Sequence, residues 1–217
     1  MRIASVNVGK PAPLRRGDES VASGIVKTPV AGRVRVGRTN LDGDGQADLR
    51  VHGGPDKAVY AYPAHHYRTW AAELGRDDMV PGLFGENLTV DGVDEDDVLI
   101  GDRFRMGTAL LEVSQPRIPC FKLGIRVGDP HFLRPFLHSG RTGFYLRVIE
   151  EGDVAEGDPV ERVSRGEGGL SVRAATRLFA GGEDPDALSR AAATPALEDG
   201  WKLMLLRRAD ALRRRAR

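Results

Sequence analysis

From Pro81 onward the chain meets a glycine every few residues, and the runs between glycines are too short for helices. Gly82, Gly85, Gly92, Gly101 and Gly107 separate Glu86–Val90, Val98–Ile100, Arg103–Met106 and Ala109–Val113. Runs of three to five residues rich in β-branched and aliphatic side chains read as strands. Many short strands joined by glycine turns close into an antiparallel sandwich or barrel. This pattern constrains the first three-quarters of the molecule more than any other feature.

The flanking segments agree. Arg2–Val8 alternates roughly between apolar and polar residues, Gly24–Val30 and Arg33–Val36 are strand-like, and Ala58–Tyr62 is an apolar strand. Pro11–Ser20, polar with two prolines, reads as a loop. Asp42-Gly43-Asp44-Gly45 marks a turn; the later ligand positions of a calcium loop do not follow it. Ala64–Leu74 is a helix with Tyr67, Trp70, Ala71 and Leu74 on one face, and its adjacent His65 and His66 point about 100° apart. Pro130–Ser139 reads as a short helix, and Gly143–Ile149 and Pro159–Val163 as closing strands. The character changes near Gly166. Ser171 and Asp184 can each cap a helix, with Pro185 at the first position of the second. Thr194 and Pro195 open a third, carrying Leu197, Trp201, Leu205 and Leu206, and the chain ends in an arginine-rich stretch, Arg207–Arg217. The expected architecture is mainly β over residues 1–165 with a three-helix domain over 166–217, α+β overall.

Composition narrows the functional classes. Of 217 residues, 32 are Lys or Arg and 31 Asp or Glu. A nucleic-acid module would more often be strongly basic, so nucleic acid is not an expected partner. No stretch approaches the ~20 apolar residues that span a bilayer, and the start of the chain has no signal-peptide pattern. A single cysteine leaves no intrachain disulfide and fits a reducing, cytoplasmic compartment.

That cysteine, Cys120, stands in Gln115-Pro116-Arg117-Ile118-Pro119-Cys120-Phe121-Lys122-Leu123, between two cations. Positive charge favours thiolate, the form that attacks carbon and binds metals. Pro116 and Pro119 restrict the backbone on either side of Arg117. Other polar residues sit at strand ends beside glycine or proline: Lys27-Thr28, His52-Gly53-Gly54, Lys57, Glu86-Asn87 and Arg141. Lysine, arginine, hydroxyl groups and approachable backbone amides suit a phosphate, and a soft sulfur donor suits a soft or redox metal. The residues therefore point to an anionic, phosphate-bearing ligand with a sulfur-bound centre. A persulfide-carrying sulfurtransferase or cofactor-maturation protein using Cys120 is the alternative.

The segments Val51–Tyr60, Phe84–Thr89, Gln115–Leu123 and Ser139–Arg147 together resemble MOSC-domain proteins of the YiiM type, in order over roughly residues 22–165. The resemblance implies a β-barrel-like domain with a helical extension that binds the molybdenum cofactor (molybdopterin) made elsewhere. It implies Cys120 as the molybdenum ligand and a reductase of N-hydroxylated compounds, such as hydroxylaminopurine-type base analogues, that detoxifies them. It places Lys27 and Thr28 at the pterin phosphate, and Asn87 and Arg117 on the pterin or phosphate side. His52, Gly53, Lys57, Lys122 and Arg141 join the cofactor site, with His52 also a candidate proton donor. The resemblance also carries a family-level association with pyridoxal phosphate. The implied partners are an N-hydroxylated small molecule and an external electron-donor protein, since the chain shows no flavin or iron–sulfur motif. A monomer or homodimer is expected.

Overall fold

The computed structural model describes residues 1–216, apart from the side chains of Arg50 and Val51. The side chain of Val51, which opens the His52 motif, and the whole of Arg217, which ends the arginine-rich tail, thus lie outside what is described. The strands are β1 (Arg2–Val8), β2 (Ala12–Arg16), β3 (Glu19–Ser23), β4 (Thr28–Pro29) and β5 (Val34–Val36). A short helix α1 (Leu49–His52) and a 3-10 turn (Pro55–Lys57) lead into β6 (Val59–Pro63), α2 (His65–Leu74) and β7 (Leu88–Asp91). Then come β8 (Arg103–Met106), β9 (Ala109–Pro116), α3 (Phe121–Val127), α4 (Leu133–Ser139), β10 (Phe144–Glu150), β11 (Gly152–Val154) and β12 (Val160–Ser164). Helices α5 (Val172–Gly181), α6 (Pro185–Ala192) and α7 (Asp199–Arg215) close the chain.

Eight strands form one mixed sheet in the order β12-β8-β9-β10-β6-β7-β1-β4. Its pairs are antiparallel except β6–β7, which are parallel. The alternation in β10 does what its sequence requires: Phe144, Leu146 and Val148 are buried while Tyr145, Arg147 and Ile149 are less so. Every residue of β9 is buried, including Glu112, whose carboxylate accepts from Arg103 and Arg147. The sheet curls until its two sides meet. Ile3 donates its amide to Asp158 O at 2.9 Å, and Val160 donates to Met1 O at 3.0 Å. No continuous ladder closes there, so the expected barrel takes the form of a large mixed sheet.

Sequence and structure part at several places. Pro11–Ser20 is not a loop: β2 and β3 form their own antiparallel ribbon through a turn at Gly17, and of the residues paired there only Leu14 and Ser23 are buried. Their polarity hid them, because strands that face water on both sides carry no period-two signal. Gly24–Val30 keeps only the two-residue β4. Val98–Ile100 is no strand; it binds the lead into α5, with Val172 N donating to Val98 O and Ile100 N to Leu170 O, both at 2.9 Å. The last helix starts at Asp199, not Thr194, because the Glu198 side chain accepts from Trp201 N at 2.9 Å and caps it. The other two caps are as read: Ser171 accepts from Ala174 N, and Asp184 from the Asp186 and Ala187 amides.

Two apolar clusters fill the molecule. The larger runs without interruption from sheet residues such as Val6, Val90, Leu111 and Leu146 to Ala175, Leu188 and Leu205 of α5–α7. Arg147 adds a polar tie, donating to Asp56, Glu112 and Ala196 O. The smaller cluster is aromatic and backs the site: Tyr60, Tyr62, Tyr67, Trp70, Phe84, Phe132 and Phe136 pack with Leu83, Leu123 and Val127. Phe84 is its hub, fully buried with the rings of Tyr62, Tyr67 and Phe136 4.8–5.3 Å away. Phe84→Ala should cost roughly 3–5 kcal/mol and lower Tm by roughly 6–20 °C. Thermal unfolding followed by circular dichroism measures this; a shift of about a degree would show that the cluster is not close-packed.

Candidate functional site

A pocket of about 640 Å³, including its open mouth, lies where the segments before β4, before α1, after β9 and before β7 converge. Lys27, Lys57, Arg117 and Lys122 line it, with His52, Cys120, Asn87 and a single carboxylate, Asp44. Seven of the residues expected at the site from sequence are therefore brought together: Lys27, His52, Lys57, Asn87, Arg117, Cys120 and Lys122. Thr28, Gly53 and Arg141 are not among the lining. Thr28 is exposed and pairs with Val8. Gly53 packs against α1, where an added Cβ would lie 2.6 Å from Leu49 Cδ2. Arg141 stacks 3.9 Å over the Trp70 ring and makes a two-bond pair with Glu73, at 2.7 and 2.9 Å.

Cys120 is half-buried at the start of α3, in extended backbone. The helix after it was not legible in sequence, since Gly124, Ile125 and Val127 are weak helix formers. Leu123 and Val127 hold it by packing into the aromatic cluster, and Gly124 lets Pro130 approach, with an added Cβ only 3.1 Å from its Cα. Burial pushes the Cys120 thiol up. A hydrogen bond from His52, the charge of Arg117 and the Lys122 amide more than offset that, bringing its pKa to about 7. Alkylation of the ligand-free protein by iodoacetamide should therefore rise with pH around a midpoint of about 7. In His52→Ala the midpoint should move upward, because the first-named stabiliser of the thiolate is gone. An unchanged midpoint would remove His52 from this role.

The cations are held firmly. Lys27 and Asp44 form a buried ion pair, their side chains 7 % and 1 % exposed. Burial lowers the Lys27 pKa, with the Asp44 carboxylate opposing. Asp44 also accepts from Gly9 N and Asn87 Nδ2, both at 2.9 Å. Asn87 Oδ1 in turn accepts from Tyr60 N at 3.0 Å. In the sequence Asp44 marks only a turn; an acid between two glycines gives no sign of a partner across the fold. Lys122 donates to Ala22 O at 3.1 Å. Arg117 is 4 % exposed and lies 5.3–5.4 Å from the ring centres of Tyr60 and Phe136. Its Nη2 donates to Phe84 O at 3.4 Å, while Nη1 is buried with no partner. Behind the wall, Glu86 accepts through Oε1 from Tyr67, Gly82 N and Thr89, and burial raises its pKa.

His65 and His66 do not point apart as the helical spacing implied; their ring centres are 4.1 Å apart and they lie near Asp94. That group is already satisfied. His66 Nε2 pairs with Glu95 at 2.6 Å, and the Arg173 guanidinium holds Asp94 at 3.0 Å.

The geometry suits an anion. Four cations face one carboxylate around the pocket, and a buried guanidinium nitrogen lacks an acceptor, a loss that a bound oxygen would repair. The thiol at the same wall is a soft donor poised near neutrality. Comparison with known proteins gives the family. Residues 48–161 match the model of the MOSC domain, just over half of the chain. The chain belongs to the MOSC family. This MOSC protein is 43% identical over 211 residues to the uncharacterized protein YflK of Bacillus subtilis, covering 97% of this chain and 95% of that one. The crystal structure of YiiM from Geobacillus stearothermophilus superposes with a TM-score of 0.81 at 38% identity, covering 96% and 98% of the two chains. The MOSC protein is thus of the YiiM type. A protein of Gibberella moniliformis named a reductase is 37% identical over 148 residues, which make up 67% of this chain but 26% of that one.

Proposed function

We propose that the chain binds a molybdenum-containing pterin in this pocket and reduces N-hydroxylated compounds, of the hydroxylaminopurine kind, to amines. The observation that carries the reading is Cys120 half-buried in a pocket where Lys27, Lys57, Lys122 and the under-bonded Arg117 converge. The reductase named among the relatives supports the reaction class. When bound, the metal supplies two-electron redox chemistry that no side chain here provides.

The protein's own residues do the rest. Cys120 supplies the sulfur ligand. Lys27 and Asn87, fixed by Asp44, and Arg117, fixed by the Tyr60 and Phe136 rings, offset negative charge on the pterin and its phosphate. His52, hydrogen-bonded to the sulfur, is placed to give a proton to the nitrogen as the N–O bond breaks. The overall change takes the N-hydroxylated compound, two electrons and two protons to the amine and water. In this reading residues 1–165 form a barrel-like MOSC domain holding the site, and residues 166–217 a three-helix extension bracing it.

The test is metal analysis of the purified protein, identification of any released pterin, and turnover of an N-hydroxylated purine with dithionite-reduced methyl viologen. Bound molybdenum and amine formation are expected. A protein without molybdenum or pterin that instead carries a labile sulfur adduct on Cys120, seen by mass spectrometry, would replace this reading with sulfur transfer.

A further inference from the structure

A groove of about 620 Å³ runs between the β2 ribbon and the α3–α4 region, lined by Arg15, Arg16, Phe121, Ile125, Pro130 and Leu133, with two glycines. It adjoins the pocket at Phe121, which stands between two pocket-lining residues, Cys120 and Lys122. We propose that this groove is the docking face for an acidic one-electron carrier protein that delivers reducing equivalents to the site. The proposal rests on the reductase reading above.

Three observations support it. First, these residues hold no iron–sulfur cluster, which takes about four cysteine-type ligands, because their one cysteine is in the pocket. Second, three exposed apolar side chains lie within two residues of the pocket lining in sequence, and one of them, Phe121, lines the groove. Phe121 is 51% exposed, Val26 is 39% exposed between the pocket residues Ile25 and Lys27, and Leu49 is 67% exposed two residues beyond Ala47. These are three of the eight large hydrophobic side chains that are exposed among the described residues. An exposed aromatic ring lining a groove marks an interaction surface. Third, the groove has a sign. Its charged residues are Arg15 and Arg16, with no carboxylate, and neither arginine forms an ion pair among the described residues. An apolar centre beside unpaired positive charge complements an acidic partner and steers its approach. The modest size suits a redox encounter, which sits at the small end of protein interfaces.

Each reduced carrier gives up one electron, so two encounters supply the two electrons of one turnover. The fungal reductase matches this chain over only a quarter of its length.

The experiment uses the metal-loaded protein and an N-hydroxylated purine with two electron sources. One is an acidic [2Fe–2S] ferredoxin kept reduced by its flavoprotein reductase and NADPH; the other is dithionite-reduced methyl viologen. In Arg15→Glu/Arg16→Glu the KM for ferredoxin should rise at least ~10-fold, and wild-type KM should rise as salt is raised over about 50 to 300 mM. Phe121→Ser should weaken ferredoxin use in the same direction. The viologen-driven rate of the arginine variant should stay within about two-fold of wild type, which also shows that it folds. An unchanged ferredoxin KM in the arginine variant, or viologen turnover without ferredoxin turnover in the wild type, overturns the docking face alone. A homodimer that the same variant dissolves would assign the groove to a second copy and overturn it too. Absence of turnover with viologen overturns the reductase reading, and the docking face with it.

Discussion

Cys120→Ala is expected to lower reduction of an N-hydroxylated purine at least ~100-fold and to lower retained molybdenum in parallel. Loss of a group that merely orients a metal ligand costs about 10–100-fold, so loss of the ligand itself should cost no less. The change is small in volume and falls on a half-buried side chain at the start of a helix, so Tm should move by no more than a few degrees. That separation matters, because an activity loss with unfolding would say nothing about the sulfur. Full turnover by the alanine variant, measured with viologen and with the metal quantified on the same sample, would end the ligand assignment. Cys120→Ser is the stricter companion: it keeps the size and a polar atom, and should still fail, since a hydroxyl is a poor soft donor.

Asp44→Ala should destabilise the protein about as much as Phe84→Ala. It leaves the Lys27 ammonium buried without its partner and strips acceptors from Gly9 N and Asn87 Nδ2. Breaking a buried ion pair from one side costs roughly 3–5 kcal/mol, a fall in Tm of roughly 6–20 °C for a chain of this size. Removing both charges should be milder, so Asp44→Ala/Lys27→Met should be more stable than Asp44→Ala. The sign of the pH dependence follows from Lys27. Burial holds its folded pKa below the ordinary 10.5, so the unfolded chain binds that proton more tightly. Stability therefore rises with pH across the interval between the folded value and 10.5. Asp44→Ala lowers the folded value further by removing the opposing carboxylate, so its deficit relative to wild type should shrink at alkaline pH. Denaturant melts at about pH 7 and pH 9.5 test this. A double variant no better than the single one would show that Lys27, once Asp44 is removed, costs the folded state nothing as a buried charge.

Glycine punctuation and short apolar runs were enough to specify a strand-rich body, because a period of two and a turn residue are local properties. The helix caps at Ser171 and Asp184 were legible for the same reason: a side-chain oxygen meets amides two or three residues away. So were the residues expected at the site. Cys120, His52, Lys27, Asn87, Arg117 and Lys122 stand in motifs read directly from the chain, and all of them line one pocket.

What sequence alone did not determine depends on distance through space. Asp44 is an unremarkable turn residue until β4 and β7 bring Lys27 and Asn87 to it. Arg141 shares a motif with site residues, yet Glu73 and Trp70 of α2 hold its guanidinium. The ribbon of β2 and β3 forms although its faces are mostly exposed, and α3 forms against its propensities because the aromatic cluster receives Leu123 and Val127. Local pattern fixes which segments extend or coil and where caps sit, since those interactions span a few residues. Which cation meets which carboxylate, and which sulfur faces which imidazole, is decided by long-range packing that no neighbouring residue encodes.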